Sequence, residues 1–314
     1  IKEALRREAT GGSIPGPWTI HRLVTSLPDG TGSQSIMASV SRGSRKCIAT
    51  LLLKAGHGIK DAYAFPCSSA SDQRRTLIEL EEAVPVHEVA RAYLSNALAT
   101  ALGEGLAEGL PPAPGFLDVA EMLGLDDIAP VAHGSVSLLE IADPEARLAG
   151  VSATKRGRLI GRSIEWARDH EMSSSWFVTD AILSAKLDEA KTERQAEQVV
   201  WAHLETQRAF WSALFARCAA ILRFAGSEDW LTFAAVVQIL DSGRALNRIP
   251  IFEMIAALTL DIAEQGGVDG LAADEDLLDD PFADDGFDPD IEPEATGELG
   301  RLLRKTPLRP DMID

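Results

Sequence analysis

Between Trp18 and Pro66 the apolar residues come in short runs, each cut by a glycine-bearing break, and a run of that length makes a strand rather than a helix. The pattern predicts strands over Trp18–Leu27, Gln34–Ser41 and Cys47–Lys54, with a fourth over Ile59–Pro66. They are joined at Pro28-Asp29-Gly30-Thr31-Gly32, Arg42-Gly43-Ser44-Arg45 and Gly56-His57-Gly58. Beyond Asp72 the period changes from two to helical. Val86, Val89, Ala90, Tyr93, Leu94, Ala97, Ala101 and Leu102 recur at three- and four-residue steps, predicting one helix over 86–106 with Pro85 at its first turn. The break Pro111–Gly115 precedes a shorter helix over Phe116–Leu123, which Gly124 is placed to cap. Val136–Ile141 fits either a last strand or a short helix, and Asp143-Pro144 ends it in both cases.

From Thr154 onward every periodic signal is helical, with helices expected at 153–170, 176–189, 192–225, 228–242 and 249–265. Within 192–225, the residues Val200, Leu204, Trp211, Leu214, Cys218, Ile221 and Ala225 form a seam suited to packing on neighbouring helices, and Ser227 is placed to cap the next one. The expected fold class is therefore α+β and mainly helical: a small N-terminal antiparallel sheet with packed helices, then an all-α module and a disordered acidic tail. The corresponding divisions are an arm or linker over 1–17, an α+β domain over 18–145, an all-α domain over 150–266, a disordered acidic segment over 267–300 and a short basic end over 301–314.

Composition changes this picture mainly through where the charge lies. The 314 residues carry 30 Lys and Arg against 48 Asp and Glu, a net charge of −18, which disfavours general polyanion binding. Thirteen of the acids fall between Gly267 and Gly300, where there is no Lys or Arg, leaving 35 against 30 elsewhere. A local basic patch therefore remains a candidate anion site. The three cysteines, Cys47, Cys67 and Cys218, are odd in number and widely spaced, without zinc-ligand spacing to any His. No apolar run reaches the roughly 18 residues of a membrane span. We expect a soluble cytoplasmic protein with no metal and no cofactor. The chain begins at Ile1, which fits a trimmed or partial polypeptide.

No phosphate loop, nucleophile elbow or His-Glu-x-x-His motif occurs. Gly103-Glu104-Gly105-Leu106-Ala107-Glu108-Gly109 has glycines at dinucleotide-loop intervals but trails a helix, so its amides do not point at a pyrophosphate. The strongest catalytic candidates are His57, Lys60 and Asp61 in a glycine-flanked turn, with Cys67 as a nucleophile; the plainer alternative is a turn with solvated charges. Lys155, Arg156, Arg158 and Arg162 are the anion-binding candidates, because 155, 158 and 162 share one helical face. The aromatics Trp166, Trp176, Trp201, Phe210, Trp211, Phe215, Phe224 and Trp230 are expected in the core of the helical module. In the tail, Leu277, Leu278, Phe282 and Phe287 alternate with acids in the manner of a segment that folds on binding.

The favoured function is a regulatory protein that binds protein partners through its helical module and acidic-apolar tail. The alternatives are a hydrolase or transferase with a site near His57–Asp61, and, less favoured, a nucleic-acid-associated protein whose basic patch is masked by the tail.

Overall fold

In the computed structural model, which describes residues 16–125, 127–132 and 136–265, the four predicted strands form an antiparallel meander. They are β1 (Thr19–Ser26), β2 (Ser33–Arg42), β3 (Arg45–Lys54) and β4 (Gly58–Cys67). Pairing of Arg42 with Arg45 leaves Gly43-Ser44 as a two-residue turn, and Gly43 takes the φ of +60° that such a turn requires. The central strands are apolar almost throughout because the sheet is covered on both faces. Helix α1 (Ala70–Ala83) lies on one face, where Leu77 meets Val24, Met37 and Ile48. Its buried Gln73 amide donates to Val40 O at 2.9 Å and Cys47 O at 2.8 Å, fixing the helix over the β2–β3 pair. Leu23, Ile36, Ala38, Ala49 and Leu51 point to the opposite face and join the main core.

The predicted helix over 86–106 begins later than its periodicity implies. Val86–Glu88 forms a fifth strand, β5, which pairs with the free edge of β1 and gives the order β4-β3-β2-β1-β5. Val86 packs on the α1 side of the sheet and Val89 on the other, and the Val89 amide donates to Leu23 O at 3.1 Å. Pairing the β1 edge outweighs one further helical turn. Helix α2 therefore spans Arg91–Ala107, and α3 spans Phe116–Leu123, ended by Gly124 in the left-handed conformation at φ +63°. The undecided stretch near 136 becomes a short helix, α4 (Leu138–Ala142). It is nucleated by a capping box in which Ser137 and Glu140 bond each other's backbone amides.

The rest is helical, as expected: α5 (Ala153–Asp169), α6 (Ala181–Asp188), α7 (Glu193–Thr206), α8 (Arg208–Phe224), α9 (Trp230–Asp241) and α10 (Ile251–Glu264). Two of the predicted spans are corrected. The helix expected over 176–189 starts only at Ala181, since Asp180 caps it and residues 176–179 run irregularly with Trp176 fully buried. The single helix over 192–225 breaks at Gln207. There Thr206 Oγ1 donates back to His203 O at 2.6 Å, and Arg208 is drawn to Leu240 O at 3.1 Å and Arg244 O at 2.9 Å. Among the described residues no helix is long and apolar enough to cross a membrane. The acidic segment 267–300, the basic end and most of the N-terminal arm lie outside the described residues.

The aromatic residues of the helical part are largely interior. Trp176, Trp211, Phe215, Phe233 and Phe252 are completely buried, with Trp176 and Phe215 edge to face at 5.5 Å. One contiguous core runs from the sheet into these helices. Its seam is closed where the β1–β2 loop meets residues 175–177. The Trp176 indole donates to Pro28 O at 3.0 Å, and a Cβ on Gly30 would stand 2.0 Å from Ser175 O. Trp176→Phe leaves that carbonyl unsatisfied and opens a void, so we expect a stability loss of about 2 kcal/mol in urea unfolding of the full chain. A loss below about 0.5 kcal/mol would show that the seam does not depend on this bond.

Candidate functional site

A cavity of about 580 Å³ opens beside this seam, between the ends of β2 and β3, helix α2, the segment around α4 and helix α8. Short side chains create it. Ala209, Ala213, Ala216 and Ala220 fall on one stripe of α8, opposite Ala97 and Ala101 of α2, so two helix faces that would otherwise interdigitate leave a gap. Glycines allow backbone to approach backbone around it. A Cβ at Gly103 would lie 1.6 Å from Val131 O, and one at Gly58 would lie 2.7 Å from Ala101 O.

The polar groups of the cavity are few and concentrated. In its floor the Gln34 side-chain amide donates to Thr25 Oγ1 at 2.7 Å and to the Tyr93 phenol oxygen. Tyr93 is buried, and burial pushes its phenol up to about 12, the amide of Gln34 partly opposing this. It therefore stays a neutral hydrogen-bonding group near neutral pH. On one wall Glu104 of α2 forms an ion pair with Arg217 of α8, their side chains only 10% and 19% exposed, while the second Glu104 oxygen accepts from the Gly56 amide at 3.1 Å. The Nη1 atom of Arg217 is buried without a partner among the described residues. One and a half turns further on, Arg223 makes a single long bond to Ile141 O at 3.5 Å and lies 4.9 Å over the Phe224 ring. Burial lowers its pKa, with Glu145 and Asp143 acting in the other direction.

Of the carboxylates near Arg223, Glu145 is exposed, while Asp143 and Glu140 have internal donors. Asp143 accepts from the amides of Arg147 and Leu148, both at 2.8 Å, and Glu140 accepts from the Ser137 amide at 2.9 Å. The wall thus presents more free donors than free acceptors.

None of the catalytic candidates read from the sequence lines this cavity. His57 is exposed in the β3–β4 turn with its Nδ1 3.1 Å from Ala55 O, and Lys60 and Asp61 are exposed on the first residues of β4. Cys67 ends the same strand, about 20 Å from Asp61 at some 3.3 Å per residue and farther still from His57. Burial, with Asp72 and Cys47 beside it, pushes its thiol up, away from the thiolate. His57, Lys60 and Asp61 are thus near one another in sequence but share no hydrogen bond or ion pair among the described residues, and Cys67 lies at the other end of the strand. Of the basic candidates, Lys155, Arg158 and Arg162 are exposed on α5, and Arg162 pairs with Asp229 at 3.2 Å. Arg156 turns inward, donating to Leu148 O at 3.1 Å and Val151 O at 3.2 Å, and so holds α5 to the turn before it. Leu277, Leu278, Phe282 and Phe287 lie outside the described residues.

The chain is thus an α+β protein in which a covered antiparallel sheet and a helical region share a core and enclose one mixed cavity. Residues 136–264, from before α4 through α10, match the family described as the Y4lR C-terminal helical domain. Over 240 residues the chain is 29% identical to a Sinorhizobium fredii protein named "Uncharacterized protein y4lR", a match covering 76% of this chain and 46% of that protein. The chain therefore spans less than half the length of this relative. No solved structure matches it. Helix α8 falls within the matched helical domain, whereas β2, β3 and α2 precede it.

A second cluster joins β5 to the helical region. The His170 ring stacks on Trp166 at 4.3 Å and on His87 at 5.6 Å, and the buried Nε2 of His87 has no partner among the described residues. Burial, and secondarily the nearby His87, lower His170 to about 4, and burial lowers His87 as well. Among the described residues no three His, Cys, Asp or Glu side chains stand together to hold a metal.

Two outcomes follow. Below an ordinary imidazole pKa of 6.5 the unfolded chain takes up a proton that folded His170 refuses until about 4, so stability is full above 6.5 and falls between these values. In His170→Asn, whose side-chain oxygen can replace His170 Nδ1 as the acceptor of the Met172 amide, the loss of stability from pH 7.5 to 5 should shrink by about 1 kcal/mol once solvent screening is allowed for; an unchanged loss would contradict this. Glu104→Gln strands the Arg217 charge and should cost about 3 kcal/mol in urea unfolding. Glu104→Gln combined with Arg217→Met should cost less than Glu104→Gln alone, and a cost that simply adds would show that the pair is uncoupled.

Proposed function

We propose that this chain is a regulatory binding module whose input is a small molecule held in the cavity between α2 and α8. The observation that carries the proposal is the cavity itself. Its volume of about 580 Å³ lies within the roughly 300–1,000 Å³ of small-molecule sites, and its lining is mainly apolar with a few polar groups set at one wall and the floor. A regulatory role is supported by its position: the cavity is walled by the sheet and α2 on one side and by the helical region on the other, so an occupant contacts both at once. The partner-binding role expected from the sequence is retained as the output of such a module, with the helical surface and acidic tail as its proposed contacts. A hydrolase or transferase centred on His57, Lys60, Asp61 and Cys67 is less well supported, because Cys67 stands at the far end of β4 and none of the four meets the cavity.

The test uses 1-aminoanthracene, a neutral fluorophore that brightens in dry apolar pockets, with the full chain and with Ala213→Phe, which places a ring in the cavity. Saturable one-to-one binding that weakens at least tenfold in Ala213→Phe, with circular dichroism unchanged, is the expected result. Equal binding by both proteins, or none by the parent, would overturn the proposal.

A further inference from the structure

We infer that the ligand of this cavity is an amphiphilic monoanion: a carboxylate head held by Arg223, and an aliphatic body lying along the alanine stripe of α8. The inference rests on the cavity being a ligand site and adds the chemistry of what fills it.

Charge selects the sign. The cavity is lined by three cations, Lys54, Arg217 and Arg223, and by two carboxylates, Glu104 and Glu140. Each carboxylate already has internal donors: Glu104 has Arg217 and the Gly56 amide, and Glu140 has the Ser137 amide. Glu140 Oε1 stays open as an acceptor, so the sign rests on the larger number of open donors than of open carboxylate oxygens. The cations are less committed. Lys54 and Arg223 have no ion pair among the described residues. Arg223 keeps four of its five N–H groups free of a protein partner there.

The unpartnered N–H groups of Arg223 remain open to solvent at the cavity, where a planar carboxylate matches the guanidinium fork in two parallel bonds. The neighbouring Asp143 is occupied by two backbone amides, and the exposed Glu145, which also acts on Arg223, forms no ion pair with it among the described residues, so neither fills the guanidinium fork. Arg217 adds the second polar feature, since its Nη1 is buried and unpaired beside the same stripe. Six residues at 1.5 Å of rise place it about 9 Å along the helix from Arg223. An acceptor oxygen part-way down the ligand body would satisfy it.

Shape selects the body. Ala213, Ala216 and Ala220 face Ala97 and Ala101, with Leu53 and Ile141 closing the sides. The cavity's two aromatic rings, Tyr93 and Phe224, lie at the floor and beside Arg223, and the methyl groups along the slot between suit a narrow aliphatic chain. The net charge of −18 repels anions at long range, but this field is screened within about 8 Å at physiological salt, so the Arg223 contact decides the preference.

The experiment displaces 1-aminoanthracene from the full chain with decanoate and with 1-decanol, which differ only in the head group. The parent should release the probe at a decanoate concentration at least tenfold below that of decanol. Arg223→Gln should bring the two within about twofold while leaving decanol unchanged, Arg223→Lys should keep part of the preference, and Arg158→Gln, a remote cation on α5, should behave as the parent. Equal displacement by decanoate and decanol in the parent would overturn the anionic head while the cavity stands. Probe binding that neither compound displaces would overturn the aliphatic body. A decanoate preference undiminished in Arg223→Gln would overturn the assignment to Arg223. Absence of probe binding would remove the underlying cavity reading instead.

Discussion

Shielding a carboxylate as that of Glu104 is shielded costs several kcal/mol unless the fold brings it a cation and further donors. The chain meets this demand from three places. Arg217 comes from α8, 113 residues later in sequence, the Gly56 amide comes from the β3–β4 turn, and α2 itself presents the carboxylate. Satisfying one ion thus fixes the helical region against the sheet. The Trp176 bond to Pro28 O and the close fit of Gly30 on Ser175 secure the same junction from its other side.

Between these two fastenings, the alanine faces of α2 and α8 line the cavity, with the ion pair bridging the two helices and Val131 packed on Gly103. The gap lies at the junction, and whatever occupies it touches both sides. On the reading proposed above, a binding event in the cavity would bias the relation between sheet and helices, as a regulatory device requires.

Much of the fold was legible in local pattern. Strand runs, the Gly43-Ser44 turn and the Gly124 stop each follow from short-range chemistry, whereas the Ser137–Glu140 capping box that decides the stretch near 136 went unread. The misread elements are those decided by partners distant in sequence. Val86–Glu88 becomes a strand because the β1 edge is open, and Gln207 interrupts a periodic helix because Arg208 is claimed by the end of α9. The cavity was less legible still. Glu104, Arg217, Arg223 and Tyr93 have no motif spacing, and a buried ion pair is visible only once both helices are placed. Two signals were present: glycines at 103 and 105 inside a helical run, which mark close backbone approach, and the alanine stripe at 209, 213, 216 and 220. The exposed charges near His57 drew attention because turns often carry function, yet their surroundings supply no second wall.

The claim that one occupant engages both sides is tested most directly by amide hydrogen exchange of the full chain with and without saturating decanoate. The account predicts that peptides from α2 and from α8 slow together, along with the β3–β4 turn that donates to Glu104, while exposed α5 is unaffected. Slowing confined to one of the two helices, or to neither, would contradict it.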